Sequence, residues 1–276
     1  MKLNEKIFII GEIGINHNGD INLCKKIIDS AVFSGCDFIK FQKRNPELCV
    51  PEEQKLKPKS TPWGDMTYLE YKYKVEFGKD EYDEIDAYCK EKGIEWFASV
   101  WDVDSVDFMS QYNKITKIPS ALITNDELIS YARKKFDYLI ISTGMSTELE
   151  IENCVKVCNP DVIMHTNSTY PSPINELNLN YLNWLKEKYK REIGYSGHEY
   201  GLITTFATVP MGVTWIERHI TIDRTLWGSD QVASVEPIGL FKLVKGIRDI
   251  ESALGKSDER VLLPSEMQKL ESLRGK

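Results

Sequence analysis

Short apolar runs rich in β-forming residues alternate along the chain with longer segments whose apolar residues recur at helical spacing. The runs are FIIGEIG, DFIKFQ, WFASV, KITKIPS, YLIIST, DVIMHTN, EIGYSG and TWIERHI. Helical segments include one from about Asn22 and others such as EYDEIDAYCKEKG, DSVDFMSQYN, NDELISYARKKF and TELEIENCVKVC. The repeated strand-then-helix order predicts a parallel sheet, and eight or nine strand candidates favour closure into a (β/α)8 TIM barrel. A doubly wound open sheet is the alternative.

Two segments depart from this alternation. The stretch from Lys43 to about Lys74 is far longer than an ordinary connection between a strand and a helix, and such insertions are functional or disordered. Its aromatic residues, Trp63, Tyr68 and Tyr71, favour an ordered segment. Near the other end, a helical pattern after Pro237 is followed only by the tail LPSEMQKLESLRGK, so we expect residues 1–276 to form one domain.

Composition narrows the function classes. A length of 276 residues with 42% hydrophobic residues suits a single barrel, and the net charge of -7 argues against a nucleic-acid-binding or anionic-membrane surface. No apolar run approaches the roughly 20 residues that span a bilayer, and the N-terminus runs into a strand pattern, so we expect a cytoplasmic protein. The six cysteines fit neither a zinc pattern nor a disulfide framework, which predicts reduced thiols.

Polar side chains follow the predicted strands one after another. In a (β/α)8 barrel the reacting groups lie at the C-terminal ends of the strands, where the following loops form the open face. The residues at these positions are Glu12, Lys40, Gln42, Ser99, Lys117, Ser120, Ser142, His165, Ser168, Ser196, His198 and His219. His17 lies in the turn after the first strand, so all four histidines of the chain lie at strand ends.

The histidine pair predicts a metal site. A single histidine at a strand end is more often structural, but His198 and His219 follow adjacent strands. Imidazole pairs suit manganese, iron, cobalt or zinc, and the remaining coordination positions would be open for water and substrate.

The two strand lysines predict an anion site. A lysine buried in a barrel is costly unless it meets a carboxylate or a ligand's phosphate or carboxylate. Lys40 and Lys117, with hydroxyl donors nearby, therefore indicate a substrate that carries both phosphate and carboxylate. Glu12 is either a general acid or base, or simply the counter-ion of Lys40.

Longer motifs resemble the sialic acid synthase (NeuB-type) family over nearly the whole chain. They are GEIGINHNG, IKFQKR, GDMTYLEYK, KIPS with ITN, STGMS, HTNSTYPSP, GYSGH and ERHITIDRTLWGSDQVAS. The resemblance implies a (β/α)8 barrel that uses phosphoenolpyruvate, a sugar aldehyde such as N-acetylmannosamine or a relative, and a divalent metal, Mn²⁺ or Mg²⁺.

The resemblance also assigns roles. It implies that phosphoenolpyruvate binds Lys40, Lys117, Ser120, Ser142 and Ser196, and that the metal binds His198 and His219. The sugar would face Glu12, Gln42, Tyr170 and Asp230. Two positions depart from the best-known bacterial pattern: Ser168 stands where asparagine is common, and Ser99-Val100-Trp101 replaces Ser-Thr-Pro.

Family members commonly continue past a PSE…LR segment into a small antifreeze-like domain that reaches a partner's barrel. This sequence ends at Lys276, so we expect a barrel without that domain. We also expect the site to be closed by the segment from Lys43 to Lys74, by a homodimer partner or by a separate small protein.

The resemblance implies that C3 of phosphoenolpyruvate attacks the sugar aldehyde, with loss of phosphate, to give a 2-keto-3-deoxy sugar acid. One alternative is a pyruvate aldolase that forms a Schiff base through Lys117 or Lys40. Another, of a different class, is a non-catalytic subunit that binds a sugar phosphate.

Overall fold

The strands of the computed structural model close into a parallel barrel. The structure describes residues 6–255 and 260–274, in which the chain forms ten strands and twelve helices. The strands are β1 Phe8–Gly14, β2 Phe38–Lys43, β3 Pro58–Thr61, β4 Gly64–Thr67, β5 Glu95–Val100, β6 Ile115–Ile118, β7 Tyr138–Ser142, β8 Val162–Thr166, β9 Glu192–Gly197 and β10 Trp215–His219. β3 and β4 form an antiparallel hairpin, and the other eight follow one another around the barrel until β10 pairs with β1. The predicted (β/α)8 barrel is confirmed, and the open sheet is wrong.

The helices surround the barrel. They are α1 Ile21–Ser34, α2 Pro46–Cys49, α3 Glu52–Lys55, α4 Tyr68–Val75, α5 Lys79–Lys92, α6 Val103–Met109, α7 Asp126–Lys135, α8 Glu148–Cys158, α9 Tyr181–Tyr189, α10 Ile203–Thr208, α11 Pro237–Leu254 and α12 Pro264–Arg274. Local sequence sets several of their ends. Asp20 caps the first turn of α1, and α1 ends at Gly35, whose φ of 84° is the left-handed conformation that glycine adopts without strain.

Alternation along the strands divides the barrel interior into an apolar end and a polar end. Side chains two residues apart on a strand share a face. On β1, Ile10 belongs to the apolar cluster inside the barrel and Glu12 lines the cavity above it. On β10, Trp215 packs in the same cluster, and Glu217 and His219 follow on the same face. Because every second side chain of a strand points into the barrel, each of these strands contributes first to the apolar core and then to the polar cavity.

Strand register brings the polar ends together. Glu12 lies opposite both Lys40 and His219, Ser99 opposite Lys117, and Ser196 opposite Glu217. The larger apolar core fills the space between the barrel and the helices. This layered packing holds the polar ends on rigid strands.

The long segment after β2 is ordered. It contains α2, α3, the β3–β4 hairpin and α4, and it packs on the loop that follows β10. The ring centroids of Trp63 and Trp227 are 5.4 Å apart, and those of Tyr71 and Trp227 are 5.1 Å apart. Two of the three aromatic residues that argued against disorder, Trp63 and Tyr71, form this contact.

The remaining expectations from composition are partly tested. All six cysteines are free thiols, as predicted. Of the helices within residues 6–255 and 260–274, none is long and apolar enough to cross a membrane.

Candidate active site

The polar end of the barrel encloses a cavity of about 140 Å³. Every residue that the sequence predicted for the site lines this cavity except Asp230. Asp230 lies just beyond it, with its Oδ2 atom 3.8 Å from Nδ1 of His219. The predicted residues, spread over more than two hundred positions of sequence, therefore meet in one place.

Two lysines and two carboxylates form a buried charge quartet at the bottom of the cavity. Lys40 Nζ lies 2.6 Å from Glu12 Oε2 and donates to Ser99 Oγ at 2.9 Å. Lys117 Nζ donates to both carboxylate oxygens of Glu217 at 2.9 Å, and Lys40 lies 3.8 Å from the same carboxylate. The four side chains are at most 4% exposed. Their formal charges cancel, so the quartet is neutral as it stands.

The environment separates the two carboxyl groups by pKa. Burial raises the pKa of Glu12, and the neighbouring Lys40 offsets this only in part. Burial would raise the pKa of Glu217 as well, but Lys117 and Lys40 together outweigh it and lower that pKa to about 2. Burial also lowers the pKa of Lys117. Glu12 is thus the group suited to exchange a proton, and Glu217 the permanent counter-ion.

Replacing Glu217 by glutamine is expected to destabilise the ligand-free protein by about 3–5 kcal/mol, because Lys117 then keeps a buried charge without its partner. The lowered pKa of Glu217 implies that its contribution is present above its ordinary value of 4.5 and is lost as pH falls towards about 2. Urea unfolding at neutral and acid pH measures both effects. A cost below about 1 kcal/mol, with the same acid dependence as the unchanged protein, would contradict this account.

Serine hydroxyls form one wall of the cavity. Ser120 Oγ accepts a hydrogen bond from the backbone N–H of Gly144 at 3.1 Å. Ser142 Oγ is buried and has no hydrogen-bond partner among the residues that the structure describes. A buried hydroxyl without a partner is costly, so this wall is suited to a ligand that accepts hydrogen bonds.

Substitution of Gly144 by alanine is expected to displace the serine hydroxyls that form this wall. A Cβ atom there would overlap Ser168 Oγ and lie 2.9 Å from Thr166 Cγ2 and 3.0 Å from Ser120 Oγ. We expect the KM for the anionic substrate to rise about tenfold or more, since the hydroxyls must move to admit the methyl group. Steady-state kinetics measure the change, and an unaltered KM would mean that this wall does not contact substrate.

His198 and His219 lie side by side in the cavity wall, at the ends of the adjacent strands β9 and β10, with ring centroids 5.4 Å apart. Nδ1 of His198 lies 2.6 Å from the backbone oxygen of Asn167 and donates to it, which leaves the Nε2 lone pair directed at the Tyr170 hydroxyl 2.9 Å away. Burial and the neighbouring His219 lower the pKa of His198 to about 3, so its imidazole is neutral. Nδ1 of His219 is buried and has no hydrogen-bond partner in the described part of the chain; Asp230 Oδ2, at 3.8 Å, is too far to form one.

This donor set fits a divalent metal. Imidazole nitrogens are common metal ligands, and a cation bound here would satisfy the buried Nδ1 of His219. Among residues 6–255 and 260–274, no group of three or more histidine, cysteine, aspartate or glutamate side chains is arranged to hold a metal. Water or substrate oxygens would therefore complete the coordination.

The other two histidines do not belong to the site. Nε2 of His165 lies 2.7 Å from the backbone oxygen of Leu177 and donates to it, and His165 lies one position from the inward-facing Thr166, so it points outward. His17 stacks on Phe77 with ring centroids 3.9 Å apart, and its Nδ1 accepts from the N–H of Gly19. Position at a strand end, which all four histidines share, therefore does not bring these two into the cavity, and they hold loops in place instead.

Comparison with known proteins identifies the family to which the chain belongs. Residues 27–259 match the model of the NeuB family. The chain belongs to the NeuB family. Over 91% of its length it is 36% identical to the N,N'-diacetyllegionaminic acid synthase of Campylobacter jejuni, 78% of which is covered. Over 94% it is 38% identical to the N-acetylneuraminate-9-phosphate synthase of Mus musculus, 74% of which is covered.

A solved structure agrees with these relatives. The N-acetylneuraminic acid (sialic acid) synthetase of Leptospira borgpetersenii, crystallised with citrate, matches at a TM-score of 0.85 and 33% identity. The match covers 98% of this chain and 93% of that one. The resemblance to the sialic acid synthase family drawn from the motifs is therefore confirmed, and with it the synthase class of enzyme.

One member of the charge quartet in this NeuB-family barrel, Glu217, was not predicted from the sequence. Glu217 lies inside the TWIERHI run, from which only His219, nearer the end of the strand, was predicted for the site. The signal that finds it is alternation, because Glu217 stands two residues before His219 and must share its face.

The long segment after β2 lies beside the cavity without lining it. Residues 45–74 contribute nothing to the cavity wall; Arg44 touches it indirectly, through the ring of Trp101 at 4.1 Å and through the side chain of Gln42. Closure of the site by this segment stays a prediction.

Proposed function

We propose that this NeuB-family enzyme condenses phosphoenolpyruvate with the aldehyde of an N-acetylhexosamine-type sugar, giving a nonulosonic-type 2-keto-3-deoxy acid and phosphate. The observation that carries the proposal is the single cavity that two buried lysines, several serine hydroxyls and a histidine pair line together. Relatives named as synthases of legionaminic, neuraminic and pseudaminic acids support it. Those names differ in the acid that is formed, so they leave the acceptor sugar open here.

Charge balance favours binding of the donor together with a metal. The quartet is neutral, so a phosphoenolpyruvate anion added to it needs further positive charge or a proton. His198 and His219 would hold a divalent ion, Mn²⁺ or Mg²⁺, which when bound would polarise the aldehyde oxygen and supply positive charge.

The lysines and serines position the donor. Lys40 and Lys117 would hold its carboxylate and phosphate, and Ser120, Ser142 and Ser196 would donate to its oxygens. Glu217 keeps Lys117 charged and fixed in direction before substrate arrives. The enol C3 atom is thereby aimed at the aldehyde carbon beside the histidine pair.

Glu12 is suited to the proton transfers. As C3 of phosphoenolpyruvate bonds to the aldehyde carbon, positive charge develops at C2 and an alkoxide forms on the sugar. Water adds at C2, Glu12 takes one of its protons and passes it to the alkoxide, and the hemiketal phosphate collapses with cleavage of the C2–O bond. The hemiketal proton leaves with phosphate, and the keto acid remains.

The test is consumption of phosphoenolpyruvate and release of phosphate with a panel of hexoses and N-acetylhexosamines, run with Mn²⁺ and with EDTA. We expect turnover that requires both a sugar and the metal. Turnover that survives EDTA, with a lysine imine trapped by borohydride, would favour the Schiff-base aldolase instead. A chain that binds sugar phosphates but turns over no member of the panel would be the non-catalytic binding subunit.

A further inference from the structure

Trp101 lines the cavity, and the proposed reaction gives it no role. It follows β5 directly and shares a face with Ser99, because Val100 between them packs in the outer core. Its backbone N–H donates to the oxygen of Lys43 at 3.1 Å, which extends the pairing of β5 with β2 by one residue. Trp101 therefore stands on the rigid barrel wall, one layer nearer the mouth of the cavity than Ser99.

Arg44 covers one face of the Trp101 ring. Its guanidinium carbon lies 4.1 Å from the ring centroid, and its Nη2 donates to the side chain of Gln42. Arg44 is only 9% exposed and does not line the cavity, whereas Trp101 and Gln42 do. A stacked guanidinium stabilises the ring in one orientation, so Trp101 is held in place before a ligand arrives.

The indole nitrogen of Trp101 lacks a hydrogen-bond acceptor. Nε1 is buried, and no residue within 6–255 and 260–274 accepts its hydrogen. An indole N–H is a donor only, and a buried donor without an acceptor costs free energy. Because the ring lines the cavity, an oxygen atom of a bound ligand can supply the missing acceptor.

Trp101 lies across the barrel from the histidine pair. Three strands separate β5 from β9 in either direction around the closed sheet, so the end of β5 faces the end of β9, where His198 follows directly. Tyr170 stacks on His198 with ring centroids 4.0 Å apart and lines the same cavity. A ligand in the mouth of the cavity therefore lies between Trp101 on one side and Tyr170 with His198 on the other.

The size of the cavity separates the places of the two substrates. At about 140 Å³ the cavity is smaller than the roughly 300 Å³ of pockets that bury a ligand of drug size. The three-carbon donor, held at Lys40 and Lys117, suits this space. The six-carbon acceptor, with its aldehyde at the histidine pair, must then occupy the mouth and extend towards Trp101.

We propose that Trp101 recognises the acylamino group of the acceptor sugar: its Nε1–H donates to the amide oxygen, and its ring packs on the acyl methyl group. The inference rests on the proposed function and names a residue that determines its specificity. A donor-only nitrogen at the edge of an apolar ring matches a carbonyl oxygen beside a methyl group, whereas a hydroxyl in the same place offers no apolar surface. Arg44 is then a positioning residue, which acts through the ring.

The experiment compares acceptors that differ only in this group. N-acetylmannosamine is paired with mannose and N-acetylglucosamine with glucose, and phosphate release from phosphoenolpyruvate is followed in the presence of Mn²⁺. We expect kcat/KM of the unchanged enzyme to be about 100-fold higher for the acetamido sugar of at least one pair. No preference for the acetamido sugar in either pair would overturn the inference and leave the synthase function standing. No phosphate release with any of the four sugars would count against the proposed function itself, and with it the inference.

Variants locate the effect. Trp101→Phe keeps a ring but removes the N–H, so we expect it to lower the preference for the acetamido sugar about tenfold, and Trp101→Ala to lower it about 100-fold. The KM for phosphoenolpyruvate should change less than about twofold in both. Trp184→Phe and Trp184→Ala, at an exposed position of α9 outside the cavity, are the matched controls and should keep the preference.

Arg44 variants test the positioning role. Arg44→Met should lower the same preference about three- to tenfold with the KM for phosphoenolpyruvate unchanged, because the ring is no longer held from its outer face. Arg44→Lys should recover part of the loss, since it restores a cation over the ring without the flat guanidinium.

The preference is a ratio measured on one preparation, so partial unfolding of a variant cancels. For a variant too slow to assay, titration calorimetry with the two sugars of a pair gives the corresponding ratio of Kd values. A preference unchanged in Trp101→Phe and Trp101→Ala would refute recognition of the acylamino group by this residue. A rise in the KM for phosphoenolpyruvate as large as that for the sugar would assign Trp101 to the donor and would equally overturn the inference.

Discussion

Replacement of Lys117 by methionine is expected to lower kcat/KM for phosphoenolpyruvate by about 10³-fold or more, the largest effect that the structure predicts. Lys117 is the buried cation held between both oxygens of Glu217, and it faces the serine wall. Without it the donor loses a charge-assisted contact and meets the uncompensated carboxylate of Glu217 instead. The donor anion therefore loses the attraction of Lys117 and is also repelled by Glu217.

A double variant separates folding from function. Lys117→Met alone leaves Glu217 buried without its close partner and should cost about 3–5 kcal/mol of stability. Adding Glu217→Gln removes the orphaned charge and should restore most of that stability, while kcat/KM stays low. Lys114→Met, exposed just before the same strand, is the control. Recovery of activity in the double variant would contradict a direct role for Lys117 in donor binding.

Replacement of Glu12 by glutamine is expected to lower kcat by about 10²–10⁴-fold. The side chain keeps its shape and can still accept a hydrogen bond from Lys40, so the KM for phosphoenolpyruvate should change far less. Because burial raises the pKa of Glu12, kcat of the unchanged enzyme should fall as pH drops through that raised value, where the base becomes protonated. The glutamine variant should lack this limb.

The same variant decides between the two readings of Glu12. A counter-ion that only holds Lys40 in place would show its loss in KM, with the pH profile of kcat retained. Glu95→Gln, at the exposed start of β5, serves as the control for glutamate replacement as such. Unchanged kcat in Glu12→Gln would remove the residue from the chemistry.

The barrel could be predicted well from the sequence because the patterns that indicate its strands and helices are local. Each strand is a short apolar run, each helix a longer periodic one, and the helix expected from about Asn22 begins at Ile21. The site residues could be found because strands of a parallel barrel all end on one face. Position at a strand end does not specify the direction of a side chain, however: His165 points away from the cavity, while Thr166 beside it lines the cavity.

Other features depend on distant parts of the chain and could not be read locally. The long segment is ordered by Trp227, more than 150 residues away along the chain, through rings 5.1 and 5.4 Å apart. The stacking of Arg44 on Trp101, with 4.1 Å between the guanidinium and the ring centroid, likewise joins two positions that are distant in the sequence. The pairing of Lys117 with Glu217 could not be predicted locally either, because it depends on the order of the strands around the barrel. In that order β6 and β10 lie on opposite sides of the barrel interior.

The fate of the oxygen that bridges C2 and phosphorus in phosphoenolpyruvate tests the central claim most directly. The donor is labelled with ¹⁸O at that position, and released phosphate is analysed by mass spectrometry after turnover with the acceptor found in the panel. Addition of water at C2 followed by C–O cleavage predicts that the label appears in phosphate. Label retained in the keto acid or in pyruvate would mean that phosphorus was attacked instead, and would contradict the condensation assigned to this site.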